Sequence, residues 1–320
     1  MNYSRKGRVQ RISPAIISSV VIIALMVCSS FAYAAETPDV ERVGAPKAAK
    51  GVFAMDAETG QTLCAKSADT ARPVASTSKL MTAYLVLKKI DSGGGAWTDR
   101  VGITDRKLDK MSRTSPYGGS VRLRVGSTFS VRQLYYLMLV ESHNAASVQL
   151  GRWISGTDAA FAQLMNETAE ELGMENSSFV NACGLDNSDY ASDLKIPYVG
   201  NRSDTNKMSP RDAADLARAL VTEYPEVMNA TKLTRVNVKG RTVRTSNHIL
   251  DYKDLMKKAK GLNVAGLKTG YTSRAGHCFI GVCKKNGRHT IVTAILNDPD
   301  RFNHTITIMK GSYSKNPDAV

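Results

Sequence analysis

GLKTGYTSRAGHCFIGVCKKNGRHTIVTAILN, residues 266–297, alternates apolar and polar positions in three successive runs. A period of two is the signature of a strand lying between a core and another surface. The runs predict strands over Gly266 to Gly270, Ala275 to Lys285 and Arg288 to Asn297. Asn286-Gly287 joins the last two, and this dipeptide supplies the positive φ angles that a tight hairpin needs. Cys278 and Cys283 stand five apart on one strand, hence on opposite faces. They are poor partners for each other, and buried thiols are expected at both.

At the amino-terminal side the same period returns. KGVFAMD (50–56), the turn Ala57-Glu58-Thr59-Gly60 and QTLCAK (61–66) read as a hairpin. Between the two strand regions the period is helical. Ser76 to Ile90 is apolar on nearly every side, which implies a helix buried between layers. Ser130-Val131-Arg132-Gln133 forms a capping box before Leu134, Leu137, Met138 and Val140. This helix is interrupted at Glu141-Ser142-His143-Asn144 and resumes at Ala145. Asp158 to Leu172, closed by Gly173, is another helix, and Ser209-Pro210 opens one more. A short helix from about Asp300 ends the pattern. The fold class is therefore α/β, more exactly α+β: an antiparallel sheet of about five strands drawn from both chain ends, flanked by helices, with a mainly helical lobe inserted.

The 320 residues, 42% of them hydrophobic, are enough for a large core. Residues 1–34 combine four basic residues, a long uncharged stretch and Ala32-Tyr33-Ala34, the organisation of an export signal or a signal anchor. Residues 35–47 read as a linker, 48–313 as the folded domain and 314–320 as a polar tail. Removing the signal lowers the net charge from +14 to +10. For an exported protein this favours a polyanionic wall or membrane surface over nucleic acid. Cys64, Cys183, Cys278 and Cys283 show no zinc-type spacing, and His248, His277, His289 and His304 form no ligand pair. No metal and no cofactor are expected.

Ser76 and Lys79 stand three apart where the buried helix begins. Serine is a weak nucleophile and needs a base within hydrogen-bond reach, which positions i and i+3 of a helix provide. The spacing alone is weak, because Ser192-Asp193-Leu194-Lys195 and Ser312-Tyr313-Ser314-Lys315 share it. Both of these read as loop. What sets Ser76 apart is company: Ser142-His143-Asn144 at a helix break and Lys268-Thr269-Gly270 on a strand. S-x-x-K, S-x-N and K-T-G in this order mark the active-site serine penicillin-recognising enzymes.

Within that group the chain resembles the serine D-alanyl-D-alanine carboxypeptidases, the low-molecular-mass penicillin-binding proteins. The resemblance runs from about Ala48 to Ile308 and includes MDAETGQTLCAKSADTARPVASTSKLMTAYLVL, NACGLDN, MSPRDAADLARAL and GLKTGYTSRAGHCFIGVCKKNGR. It implies a β-lactamase/transpeptidase-like fold and an exported enzyme of the periplasm or cell-wall side. The implied substrates are peptidoglycan stem peptides, with β-lactams as inhibitors. By the same resemblance Ser76 is acylated, Lys79 is its base and Ser142 relays a proton to the leaving amine. Asn144 holds Lys79 and the substrate amide, Lys268 supplies charge, and Thr269 helps bind the terminal carboxylate. The oxyanion donors are the backbone N–H groups of Ser76 and Tyr271, and Arg301 matches a carboxylate-contacting position. Gly270 is expected to leave room for substrate beside the strand, and a second cation, Lys268, to lower the basicity of Lys79.

Departures from the family pattern are Ala145 where aspartate is frequent, Cys64 where tyrosine is common, and His143 in the variable middle of the second motif. His143 is expected to line the cleft. A β-lactamase of the same fold needs a water-activating glutamate, and Glu167, Glu170 and Glu171 fall within a well-patterned helix instead. A non-catalytic wall-binding or sensory domain is the remaining alternative, opposed by retention of all three motifs.

Overall fold

Asn286-Gly287 does turn the chain back on itself, and the strands on either side anchor a five-stranded antiparallel sheet. In chain order the strands are β1 (Gly51–Asp56), β2 (Thr62–Lys66), β3 (Asn263–Thr272), β4 (Gly276–Lys284) and β5 (Thr290–Leu296). Their spatial order is β2-β1-β5-β4-β3. Gly51 pairs with Leu296 and Asp56 with Ile291, so the two ends of the described chain are stitched together in the middle of the sheet. This computed structural model describes residues 43–315. The export segment expected over 1–34, most of the linker and residues 316–320 lie outside the described residues.

The alternation of side chains divides the core in two. Phe53, Met55, Ile280, Val282, Val292 and Ala294 face the helical lobe. Val52, Ala54, Phe279, Cys283, Ile291 and Ile295 face the other way. Cys278 belongs to the first face and Cys283 to the second, as their odd spacing requires. All four cysteines of the described residues are buried and form no disulfide.

The helical lobe is built around α1 (Lys79–Asp91), in which every side chain from Lys79 to Leu87 is buried. A single 3-10 turn, Ala75–Ser78, leads into it. Around it pack α2 (Val131–Val140), α3 (Asn144–Ser155), α4 (Asp158–Glu171) and α5 (Pro210–Glu223). Ser130 caps α2 in a complete capping box with Gln133, and Ser209 caps α5 with Pro210 at its first position. Among the described residues no helix is long and apolar enough to cross a membrane.

Three local expectations need correction. The last helix, α6 (Arg301–Lys315), has 15 residues and is not short. It reaches past the expected boundary at 313 because Ile306, Ile308, Met309 and Tyr313 cover the second face of the sheet. The two stray S-x-x-K copies are not loops. Ser192 to Leu194 lie in a wide, π-type helical turn, and Ser312 to Lys315 end α6. In the latter, Ser312 Oγ donates to the Ile308 carbonyl of its own helix while Lys315 is exposed, so helical spacing alone makes no reactive pair.

Phe279 is wholly buried under α6, with its ring 5.2 Å from that of Phe302. Phe279→Ala is predicted to lower stability by about 3–5 kcal/mol in a urea titration. A loss below about 1 kcal/mol would mean that this face is loosely packed.

Candidate functional site

Ser76 sits, half-buried, in the 3-10 turn before α1. The turn is held by its own side chains: Thr77 Oγ1 donates to the Val74 carbonyl at 2.7 Å, and Ser78 Oγ donates to that of Ala75 at 2.9 Å. Ala75 is in the left-handed region at φ 49°, an uncommon conformation for a residue with a Cβ. This places Ser76 where the first turn of α1 brings Lys79 Nζ to 2.7 Å from Ser76 Oγ.

Lys79 is fully buried. Besides Ser76 it meets only neutral oxygen, Asn144 Oδ1 at 2.8 Å and the Cys183 carbonyl at 2.5 Å. As an ammonium it donates to all three oxygens, Ser76 Oγ included; a neutral amine keeps two hydrogens for the Asn144 and Cys183 oxygens and has a lone pair free to accept the Ser76 proton. Burial brings the Lys79 ammonium down to about 8, partly opposed by the Cys183 thiol. The expected lowering by Lys268 falls the other way. Lys268, also buried, is pushed well below its ordinary value by burial first and then by the charges of Lys79 and Arg301.

Asn144 opens α3, and its Nδ2 donates to the Tyr117 carbonyl at 2.8 Å. That bond fixes which end of the amide faces Lys79. Ser142 lies two residues earlier, at φ 69° in the break between α2 and α3. Its neighbour His143 does not line the cleft. His143 is buried and caps α3: Nδ1 accepts from the Ala146 N–H at 3.2 Å, leaving Nε2–H to donate to the Val121 carbonyl at 2.8 Å. Burial lowers its basicity, which keeps the ring neutral for both bonds.

The third group lies on β3, the edge strand. Lys268 Nζ donates to the Thr269 carbonyl at 3.0 Å, and Thr269 Oγ1 lies 2.8 Å from Ser246 Oγ. A Cβ on Gly270 would sit 2.7 Å from the Val74 carbonyl oxygen and 3.1 Å from the Thr77 nitrogen. Contact with the turn that carries Ser76 is therefore reason enough for glycine here. Tyr271 is 60% exposed, its ring 4.6 Å from His277. Arg301, at the start of α6, has its guanidinium against His277 Nδ1 and over the Phe302 ring.

A loop that no motif spacing marks closes the site from behind. Asn181 Oδ1 accepts from the Cys183 and Gly184 amides, and Asn181 Nδ2 donates to the Leu185 carbonyl. Asn206 Nδ2 ties this loop to the Ser78 hydroxyl at 2.9 Å. Gly184, at φ 81°, packs so closely that a Cβ would lie 2.0 Å from the Ala75 carbonyl oxygen. The outcome is the Cys183 carbonyl aimed at Lys79. Asn-x-x-Gly is a legible turn signal in NACGLDN. Nothing local marks Asn206, Tyr117 or Ser246.

Three comparisons agree with this geometry. Residues 38–300 match the family described as D-alanyl-D-alanine carboxypeptidase. D-alanyl-D-alanine carboxypeptidase DacF of Bacillus subtilis is 26% identical over 82% of this chain and 61% of its own length. DacD of Escherichia coli is 32% identical over 75% of this chain and 56% of its own. The chain thus spans about six-tenths of the length of these curated relatives. The crystal structure of penicillin-binding protein D2 from Listeria monocytogenes in its ampicillin-bound form is 28% identical with a TM-score of 0.67, covering 83% of this chain and 97% of that one.

Because Gly270 touches backbone on the turn of Ser76, Gly270→Ala is predicted to cost about 1–3 kcal/mol of stability in a denaturant titration. An unchanged midpoint would show that β3 and the turn can part freely.

Proposed function

The chain belongs to the D-alanyl-D-alanine carboxypeptidase family, and on that premise we propose that it is an exported serine DD-carboxypeptidase. It removes the terminal D-alanine of peptidoglycan stem peptides through an acyl-Ser76 intermediate, and β-lactams acylate the same serine. The observation that carries this reading is the fully buried Lys79, 2.7 Å from Ser76 Oγ and surrounded by neutral acceptors.

Neutral Lys79 takes the Ser76 proton as Oγ attacks the carbonyl carbon before the last residue. The backbone N–H groups of Ser76 and Tyr271 hold the resulting oxyanion. As the C–N bond breaks, the proton passes by way of Ser142 to the leaving nitrogen, and D-alanine departs. Water then adds to the ester, gives up a proton to Lys79, and the acid leaves as Ser76 regains its hydrogen. Asn144 keeps Lys79 aligned. Lys268, Thr269 and Arg301 receive the terminal carboxylate, two oxygens that suit a planar guanidinium. Gly270 keeps β3 against the Ser76 turn, and the open edge of β3 offers a peptide backbone a strand to pair with.

Persistence of a penicillin adduct is supported by the glutamates of α4. Glu171 pairs with Lys88 at 2.6 Å on an exposed face, and Glu167 accepts from Gln163. Neither is engaged with the residues around Ser76. The ampicillin-bound state of the Listeria relative supports the same inhibitor class.

Labelled penicillin is predicted to tag the wild type, and Ser76→Ala to abolish both the tag and D-alanine release from a peptide ending in two D-alanines. Unchanged release by that variant would sink the mechanism. Protonated Lys79 has no lone pair for the serine proton, so kcat/KM should rise with pH through an inflection near 8. A flat profile between about pH 6 and pH 10 would remove Lys79 as the base.

A further inference from the structure

Residues 227–250 contain Lys232, Arg235, Lys239, Arg241 and Arg244 and no aspartate or glutamate. The middle of this stretch forms a hairpin of its own, Arg235–Val238 paired with Arg241–Arg244. Lys239 and Gly240, at φ 50° and 78°, make the turn. Val238 and Val243 are buried, which leaves Arg235, Asn237, Thr242 and Arg244 on the exposed side. Arg235 and Arg244 are direct cross-strand partners. Like charges in that relation bring their Cβ atoms to about 4.5–5.5 Å and destabilise a sheet.

Among the described residues no ion pair offsets that repulsion. Lys239 lies 4.2 Å over the Phe129 ring, but Lys232, Arg235, Arg241 and Arg244 enter no ion pair among the described residues. The hairpin also stands at the candidate site. Two residues after Arg244, Ser246 N–H donates to the Val140 carbonyl, and Ser246 Oγ contacts Thr269. Arg244 is thus at most about 7 Å of chain from Ser246, which touches residues neighbouring Ser142 and Lys268.

We propose that the hairpin is a docking surface for a linear, hydrophilic polyanion carrying phosphate groups, held alongside the cleft. The paired guanidiniums supply a fork of donors for phosphate oxygens, and an anion between them turns a repulsive pair into an attractive one. A polymer fits better than a lipid surface, because the exposed large apolar side chains among the described residues, Val125, Tyr198, Tyr252, Met256 and Tyr271, all lie outside the hairpin. A membrane-binding face adds apolar insertion to its charge. Binding itself does not depend on the hydrolase reading; its use, keeping the enzyme on an anionic wall while Ser76 works, does.

The test is binding of inorganic polyphosphate to the full chain, compared among wild type, the double variant Arg235→Thr with Arg244→Thr, and a control of equal charge change, Lys253→Ser with Lys257→Ser. The arginine variant is expected to bind roughly tenfold or more weakly, and its log-affinity against log-salt slope to fall by about two. Its thermal midpoint should be unchanged or higher, since a repulsion is removed, and its D-alanine release from a small soluble peptide unchanged. Equal weakening by the control, absence of wild-type binding, or binding to phosphatidylglycerol vesicles without binding to polyphosphate overturns the proposal. A fall in peptide hydrolysis by a folded arginine variant also overturns it, because the pair would then belong to the cleft. Wild type that binds polyphosphate but releases no D-alanine defeats the hydrolase reading and leaves the docking surface standing.

Discussion

A lysine amine with no carboxylate beside it is the constraint to which the site is fitted. An isolated ammonium in the interior is costly, and Lys79 is fully buried. The protein answers with neutral oxygen placed from three distant parts of the chain, Ser76, Asn144 and the Cys183 carbonyl. That choice has a chemical consequence. A carboxylate partner would hold the proton on the amine, whereas amide and carbonyl oxygens let burial weaken it, bringing Lys79 down to about 8.

Each of those oxygens needs its own support, and much of the surrounding polar structure serves it. Asn144 is oriented by the Tyr117 carbonyl, and the start of its helix is capped by His143. The Cys183 carbonyl is aimed by the Asn181 turn, itself tied to Asn206 and Ser78. Close backbone approaches at Gly184 and Gly270 clamp the Ser76 turn from two sides. The left-handed φ angles of Ala75 and Ser142 fall beside the reactive groups, where such strain is tolerated because packing overdetermines it.

The strands were readable because their period is short and their turns carry distinctive residues. Asn286-Gly287 and the alternation over 266–297 led to β3, β4 and β5, and the odd separation of Cys278 and Cys283 assigned their faces. Ser76, Lys79, Asn144 and Lys268 stood out because their motifs interrupt or open regular elements. Other features depend on long-range contact and leave no local trace. Asn206 and Tyr117 look like ordinary loop residues until the fold brings them to Ser78 and Asn144. His143 was misplaced for the opposite reason: a polar residue between two motif positions suggests a cleft, but its ring nitrogens find backbone partners inside. The length of α6 was hidden by its polar sequence, because a helix that covers one face of a sheet needs only a narrow apolar stripe.

The distribution of charge follows from the same economy of partners. Lys268 and Arg301 are lowered by burial, and neither forms an ion pair with a carboxylate among the described residues. Water is largely excluded around Lys268, so a positive charge there is weakly screened, and burial and the neighbouring cations together disfavour it. In the proposed reaction the anionic end of the peptide is the carboxylate partner that Lys268 and Arg301 otherwise lack among the described residues. The influence between the two lysines runs from Lys79 to Lys268: the charge of Lys79 adds to the burial that lowers Lys268, while Lys79 itself is lowered by burial alone. A usable base thus follows from burial among neutral oxygens, with no carboxylate to hold the proton on Lys79.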